Sequence, residues 1–554
     1  MLKQTRVEHD EFDSRLLIER WINMNTEKIR KQIIEGKTSL GIEYGSTRIK
    51  AVLINDETEL IASGVYEWEN ELADGIWTHS NESIIRGLQQ SYAALKKQVL
   101  EQYGLVLEKI GSIGVSAMMH GYLAFDGDGK LLVAFRTWRN TMTHDSAVKL
   151  TKLFGVNIPD RWSIAHLQYA VDCGEEHIDN LSFMTTLAGY VHYLLTGKKV
   201  LGIGDASGMF PIDSETGTYD KKMMRKFESL QENAAHSLCL SILLPKVLKA
   251  GENAGELTES GAWLLDTDGD LKPGVPFCPP EGDADTGMVA TNSVKAGTGN
   301  VSAGTSVFSM IVLEKQLSKL YPEIDMITTP EGKPVAMVHC NNCTSDLDAW
   351  ISVFGELLDK MNVKYKKADL FDKFYFAALE NEDFSGVLSY NCFSGEPVLS
   401  LSEGRPMLLR LPNADFNLSS MAQSLIFSSF ASLKIGMEKL AAEDVRISKL
   451  LGHGGLFKTK TVAQRLMASA LDVPVAVMSS AGEGGAWGIA ILASYMRNKK
   501  DGQSLGDYLD NEVFASAETE CEKPDKKYAE VFEKYLKAYK DCINLQRAAA
   551  ECFR

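Results

Sequence analysis

The sequence has little of what would set it apart from ordinary folded proteins. Its 554 residues include only nine cysteines and fifteen prolines. No apolar run approaches the roughly 18 residues that span a bilayer. The richest stretch, Ala486 to Met496, is short and is broken by a glycine. Basic residues are also scarce: 58 lysines and arginines face 74 acids, for a net charge of −16. A surface of that sign repels phosphate backbones and anionic lipid, so neither nucleic acid nor a membrane is an expected partner. Met1 to Arg15 is charged and lacks an apolar core segment, so no secretory signal is expected and a cytoplasmic location is. Sparse, irregularly spaced cysteines suit free thiols in a reducing compartment. The one close pair, Cys340 and Cys343, has no second pair or matched histidines to complete a zinc site, and reads as ordinary buried thiols.

What is present is enough to fold: 45% apolar and 24% charged residues. Residues 1–37 read as a helical extension, with Ile18, Ile22 and Ile29 on one face. From Ser39 to Ile54 two β runs flank Gly45-Ser46-Thr47, and a third run, Leu60 to Tyr66, follows. Apolar residues near 3.6-residue spacing predict a helix from about Ser83 to Tyr103. Ile110 to Ser116 reads as a buried strand, and 122–135 as a hairpin around Gly127-Asp128-Gly129. The region 147–265 reads as mostly helical. Then the opening texture returns: strand, Gly304-Thr305-Ser306, strand. This echo predicts a duplicated domain, each copy opening on a glycine-hydroxyl turn. The charged tail from Glu522 reads as helical and packed on the outside.

Each turn offers backbone N–H groups and hydroxyls to one point, and glycine lets a ligand approach. One such turn is usually only a tight turn; two, one per half, could hold a polyphosphate from both sides. Glu43, at the end of the first strand, could hold Mg²⁺ beside bound phosphate, or be a hairpin-flanking acid. In Gly282-Asp283-Ala284-Asp285 either aspartate could be a helix N-cap or a general base, and spacing does not choose between them. His120, in Met119-His120-Gly121, follows a buried strand. Trp138-Arg139-Asn140 joins an aromatic face to a guanidinium and an amide, which suits a polyhydroxylated ligand. Gly452-His453-Gly454-Gly455 after a strand is a nucleotide-loop candidate, but it is neither a Walker A loop nor the dinucleotide fingerprint.

Together these segments resemble the FGGY carbohydrate kinases of the actin/Hsp70/hexokinase fold. Gly41 to Ala51 looks like their first phosphate motif, Met119-His120-Gly121 like the sugar-contacting Met-His-Gly of xylulokinases, and Gly282-Asp283 with Gly287 like the loop of the catalytic Asp. Gly304-Thr305-Ser306 matches the second phosphate motif. Gly454-Gly455 with Lys458, and Glu483-Gly484 with Gly488, resemble the adenosine side and the closing helix. The resemblance implies an α/β protein of two actin-like (ribonuclease H-like) ATPase domains around a central cleft. These span 38–290 and 291–500, with extensions at 1–37 and 501–554. It implies ATP-dependent phosphorylation of a sugar hydroxyl with ATP and Mg²⁺. Asp283 would be the base and Glu43 the metal-side acid. Met119, His120, Trp138, Arg139 and Asn140 would meet the sugar. Gly45, Ser46, Thr47, Gly304, Thr305, Ser306, Gly454, Gly455 and Lys458 would meet ATP. Motif spacing ranks L-ribulose ahead of D-xylulose. The chain departs from the family in having Glu43 where Asp is usual, which moves any metal by about one methylene. The alternative is a non-catalytic nucleotide-binding regulator on the same fold, which would keep the turns but not need Asp283 or His120. A homodimer is compatible with either reading.

Overall fold

The computed structural model describes residues 26–230, 238–459, 461–478, 484–517 and 519–553. The expected apolar face of the N-terminal extension falls mostly outside them, as do Gly482 and Glu483. Residues 26–35 are helical, with Ile29 and Ile33 buried.

The first half is built on a five-stranded sheet. Strands β1 (Thr38–Tyr44) and β2 (Arg48–Asn55) form the expected antiparallel hairpin, and β3 (Leu60–Glu67) extends it. Strands β4 (Ser112–Ala117) and β5 (Glu281–Gly282) add in parallel on the other side, giving the order β5-β4-β1-β2-β3. Helix α1 (Asn81–Tyr103) covers β3; Ser80 caps its start by accepting the Ser83 N–H, and left-handed Gly104 ends it. Its buried face is the one the periodicity predicts: Ile84, Leu88, Tyr92, Leu95 and Val99. The 122–135 segment is looser than a regular hairpin. Only isolated bridges, Tyr122 to Arg136 and Phe125 to Leu131, join its arms, while Leu123–Phe125 pairs with the distant Phe183–Thr185. A short helix, α2 (Ile203–Ser207), and helix α3 (Asp283–Ala290) complete the part that matters for the site.

The second half repeats the pattern. Strands β6 (Thr298–Ala303) and β7 (Val307–Val312) make the second hairpin. Strands β8 (Ile324–Thr328) and β9 (Pro334–Cys340) extend it on one side. Strands β10 (Lys449–His453) and β11 (Val475–Met478) run parallel on the other, and β12 (Thr519–Glu522) closes the edge. The order is β8-β9-β7-β6-β10-β11-β12. In both sheets the hairpin's first strand pairs antiparallel with its partner and parallel with a strand far along the chain, so the sequence echo is a repeat of topology.

Helix α4 (Leu418–Ala441) is buried on almost every side from Ser420 to Leu433 and fills the centre of the second half. The charged helical tail keeps a polar face outside and packs on the second half through the other. Helix α6 (Lys526–Asp541) sets Tyr528, Phe532, Tyr535 and Tyr539 into the second core, with Tyr539 fully buried. Its mean composition is charged, but its aromatics recur at helical spacing and form one apolar face.

Helix α5 (Gly484–Asn498) belongs to the second half in sequence, yet it lies on β1, β2 and β4 of the first sheet and crosses α3. The crossing is close because side chains are missing where they would collide. A Cβ on Gly488 would stand 2.1 Å from the Thr286 carbonyl oxygen, and one on Gly41 would stand 2.1 Å from that of Ala486. An apolar cluster then runs through both halves, joining Met288 and Trp487 to Met310, Ile327 and Val335. Gly488→Ala must force α3 and α5 apart. It should lower stability by about 1–3 kcal/mol or more, read as a drop in melting temperature; a variant that melts like the wild-type protein would contradict this account of the crossing.

Candidate active site

The first turn is held from behind. The carbonyls of Gly45, Ser46 and Thr47 accept hydrogen bonds from the Trp68 indole (2.8 Å), the Asn70 amide (3.0 Å) and the Trp68 N–H (3.2 Å). The second turn is built the same way. The Thr344 N–H (3.0 Å) and hydroxyl (2.8 Å) bond to the Gly304 carbonyl, and the Cys343 N–H (2.9 Å) bonds to that of Thr305. In each turn carbonyls are fastened into the protein and the glycine N–H closes the turn, Gly45 onto the Arg48 carbonyl (3.0 Å) and Gly304 onto that of Ser306 (2.9 Å), so the N–H groups and hydroxyls that follow the glycine are the donors left to meet an anion. Cys343 and Cys340 are both buried, and their loop serves here as the back wall of the second turn.

Beside the second turn, Gly454 adopts a φ of 102°, and a Cβ there would lie 2.4 Å from the Ala303 carbonyl oxygen. Only glycine lets the chain pass that close to the end of β6. Gly455 begins a single 3₁₀ turn, Gly455–Phe457, and Lys458 follows it with an exposed side chain. The regular helix after this loop runs Val462–Leu471, with Thr461 as its N-cap, close to the expected Thr461 to Leu471.

Beside the first turn stand the end of β4 and the start of α3. The Met118 N–H bonds to the Tyr44 carbonyl (2.8 Å), which brings Met119 and His120 next to the turn. His120 and Gly121 both have positive φ, 69° and 87°, so the backbone is strained where the imidazole projects. Its Nδ1 lies 3.2 Å from the Gly208 carbonyl oxygen, and its ring stacks at 6.4 Å on Trp162. Burial, and after it the nearby Arg161 guanidinium, push the imidazole down to about 3, so it is neutral at physiological pH. A carbonyl only accepts, so Nδ1 carries the proton and Nε2 is left as an acceptor.

Gly282 is the N-cap of α3, and both aspartates fall in its first turn. Asp283 is half-buried, and its Oδ1 accepts the Met119 N–H (3.2 Å) and the Ala284 N–H (2.9 Å). Burial raises its carboxyl to about 6 against those bonds. Asp285 is completely buried, and neither of its oxygens has a well-formed hydrogen bond among the described residues. Two residues apart on a helix, the pair points about 200° apart, so one carboxyl faces the site and the other faces the interior.

Glu43 is half-buried beside the start of α5, where its Oε2 accepts the Ala486 N–H at 3.1 Å. Burial, and after it the charge of Asp283, raise its carboxyl to about 7. A hard oxygen donor at a helix N-terminus, beside a second carboxylate that repels it, fits a divalent cation chemically.

The outer sugar-side candidates behave differently from one another. Trp138 is 41% exposed. The Arg139 guanidinium lies 3.9 Å over the Trp77 ring. Asn140 is buried, with its amide spent on the backbone of Trp77 (2.9 and 2.8 Å) and Thr137 (2.9 Å), so it holds the loop that carries the other two. Sequence reading missed a bridge between the halves. Arg161 forms a salt bridge to Asp325, and Asn157 donates to the same carboxylate (2.9 Å). The partners are 164 residues apart in the chain, and no local motif announces them.

The family model for the N-terminal domain of the FGGY family of carbohydrate kinases matches residues 38–290, and that for the C-terminal domain matches residues 299–497. A xylulose kinase of Haemophilus influenzae is 21% identical over 514 residues, covering 90% of this chain and 98% of its own. Among solved structures, the xylulose kinase from Rhodospirillum rubrum aligns with a TM-score of 0.75 at 17% identity, covering 92% of this chain and 99% of that one. The gluconate kinase from Lactobacillus acidophilus aligns with a TM-score of 0.74 at 17% identity, covering 93% and 99%. At these identities the likeness to solved structures concerns the fold.

Proposed function

The chain belongs to the FGGY family of carbohydrate kinases, and we propose that it uses ATP to phosphorylate a terminal hydroxyl of a ketopentose, with Asp283 as the general base. The observation that carries this reading is the fixed carboxylate of Asp283. Two backbone N–H groups hold its Oδ1, one of them from Met119 of the sugar-side motif, so the acid and the sugar site are set by the same contact.

The chemistry follows from what each residue offers. The second oxygen of Asp283 accepts the proton of the attacking hydroxyl, the hydroxyl oxygen attacks the γ-phosphorus in line, and the bond from that phosphorus to the β,γ-bridging oxygen breaks to release ADP. The Gly45-Ser46-Thr47 and Gly304-Thr305-Ser306 turns receive the phosphates through backbone N–H groups. Gly454, Gly455 and Lys458 border the adenosine. Glu43 would hold Mg²⁺, which supplies neutralisation of phosphate charge when bound. His120 accepts a sugar O–H through Nε2, and Trp138 and Arg139 offer a ring face and donors. The bridge from Arg161 and Asn157 to Asp325 would stabilise the closed arrangement of the halves and exclude water.

An uncharged acceptor at His120 suits a hydroxyl and disfavours a carboxylate, which supports a neutral sugar over a sugar acid. The nearly full-length similarity to a xylulose kinase supports D-xylulose as the first compound to test, with L-ribulose second.

Three outcomes are expected. Asp283→Asn should lower kcat by about 10²–10⁴-fold while nucleotide still binds; a variant keeping more than about a tenth of the rate would exclude Asp283 as base. The base works only when ionised, so kcat/KM should rise with pH through a midpoint of about 6 in the free enzyme and level off above it. A profile flat through that region would contradict the assignment. In a panel of pentuloses, hexuloses, polyols and sugar acids, ketopentoses should give the highest kcat/KM. ATP turnover without sugar dependence would count against a kinase and for a nucleotide-binding regulator.

A further inference from the structure

Behind Asp283, on the side away from the substrate, lie three more carboxyl groups. Asp205 and Glu281 are each 1% exposed, and Asp285 is 0% exposed. Among the described residues no salt bridge reaches any of them, and no three such groups are arranged to hold a metal ion. The chain makes room for them by omission. A Cβ on Gly202 would stand 2.2 Å from the Glu281 carboxyl carbon, and one on Gly204 would stand 2.4 Å from that of Asp285. The backbone entering α2 is therefore pressed against both acids.

Their bonds are incomplete in a telling way. Glu281 Oε2 accepts the Asp205 N–H (2.9 Å), and Asp205 Oδ2 accepts the Thr186 hydroxyl (2.6 Å). Among the described residues Asp205 Oδ1, Glu281 Oε1 and both oxygens of Asp285 lack a well-formed hydrogen bond, the backbone N–H groups of Gly204 and Gly282 being the polar groups turned toward Glu281 and Asp285. Ionised carboxylates only accept, so three of them cannot satisfy one another. Burying an unpaired charge also costs several kcal/mol. A protonated carboxylic acid removes both problems, because it loses its charge and gains a donor.

The other titratable groups here bring no positive charge. Asp283 sits on the same helix as Asp285, Tyr219 faces Asp205, and Cys278 faces Glu281. Burial raises Asp285 and Glu281 well above the usual carboxylate range and Asp205 to about 7, in line with that picture.

The cluster also has a mechanical position. Glu281 lies two residues before the base. Through the Asp205 N–H it grips α2, and directly after α2 the Gly208 carbonyl fixes His120. We propose that Asp205, Glu281 and an uncharged Asp285 form a buried brace that sets the base, Asp283, relative to the sugar-binding His120. All three are positioning residues: none touches substrate. The mechanical part rests on the reading of Asp283 as the base; the protonation part does not.

The test separates the two. Asp285→Asn keeps the size and neutrality of the acid but cannot ionise. A carboxyl raised in the folded state binds its proton more tightly than in the unfolded chain. The folded carboxyl keeps its proton while the unfolded one ionises, so its stabilising contribution is lost as pH climbs from about 4 toward the folded value. The melting temperature of D285N should therefore pull ahead of wild type increasingly between about pH 5 and about pH 8. A difference that does not change with pH overturns the brace, whatever the activity of D283N. In kinetics, Glu281→Ala should lower kcat at least about tenfold and raise the sugar KM with the ATP KM unchanged, and Glu281→Gln should restore both. Equal loss in the Ala and Gln variants, or a parallel rise in ATP KM, overturns the positioning role.

Discussion

The site depends on one close crossing, that of α3 and α5, made possible where Gly488 has no side chain to meet the Thr286 carbonyl. Helix α3 begins with Asp283, the proposed base, and α5 begins against Glu43. Pressing the two helices together on the first sheet places both carboxylates beside the first turn and fixes a helix from the second half's sequence onto the first half. A larger residue at that point would separate the halves and the reacting groups together. The apolar cluster that runs through both halves holds the crossing in place. It is a non-directional force that relies on the glycines for its close geometry.

Charge is handled locally throughout. A protein with a net charge of −16 that receives a polyanionic nucleotide cannot use a broad basic patch. In the proposed reading it uses peptide groups whose carbonyls are tied back into the fold, so that their N–H groups are oriented before the ligand arrives. The same economy shows around Asp283, where backbone N–H groups rather than cations hold the carboxyl. Farther in, Asp205, Glu281 and Asp285 are buried with no counterion among the described residues, and in the proposed brace protons take the place that lysine or arginine would otherwise fill.

Much of this was legible in the sequence because it is local. The two turns, α1 with its buried stripe, and the glycine loop after β10 each carry their signal within a few residues. What was not legible depends on direction or distance. Asp283 and Asp285 are equivalent as letters and opposite in space, because a helix turns about 100° per residue. Asn140 looks like a ligand but is consumed by the backbone of Trp77, a partner 63 residues away. Glu281 and Asp205 meet only when β5 and α2 pack, and the glycines that admit them look like ordinary loop residues. The aromatic face that α6 sets into the core is hidden in the sequence by its charged composition.

Phosphoryl transfer in the proposed reading requires the acceptor hydroxyl to lie between Asp283 and the γ-phosphorus beside the first turn. A crystal structure with a ketopentose and a non-hydrolysable ATP analogue tests it most directly. The account predicts the terminal hydroxyl within hydrogen-bond reach of Asp283, a second hydroxyl on His120 Nε2, and the phosphates on the two turns. A sugar whose reactive hydroxyl is held by another group, or a nucleotide seated away from both turns, would contradict it.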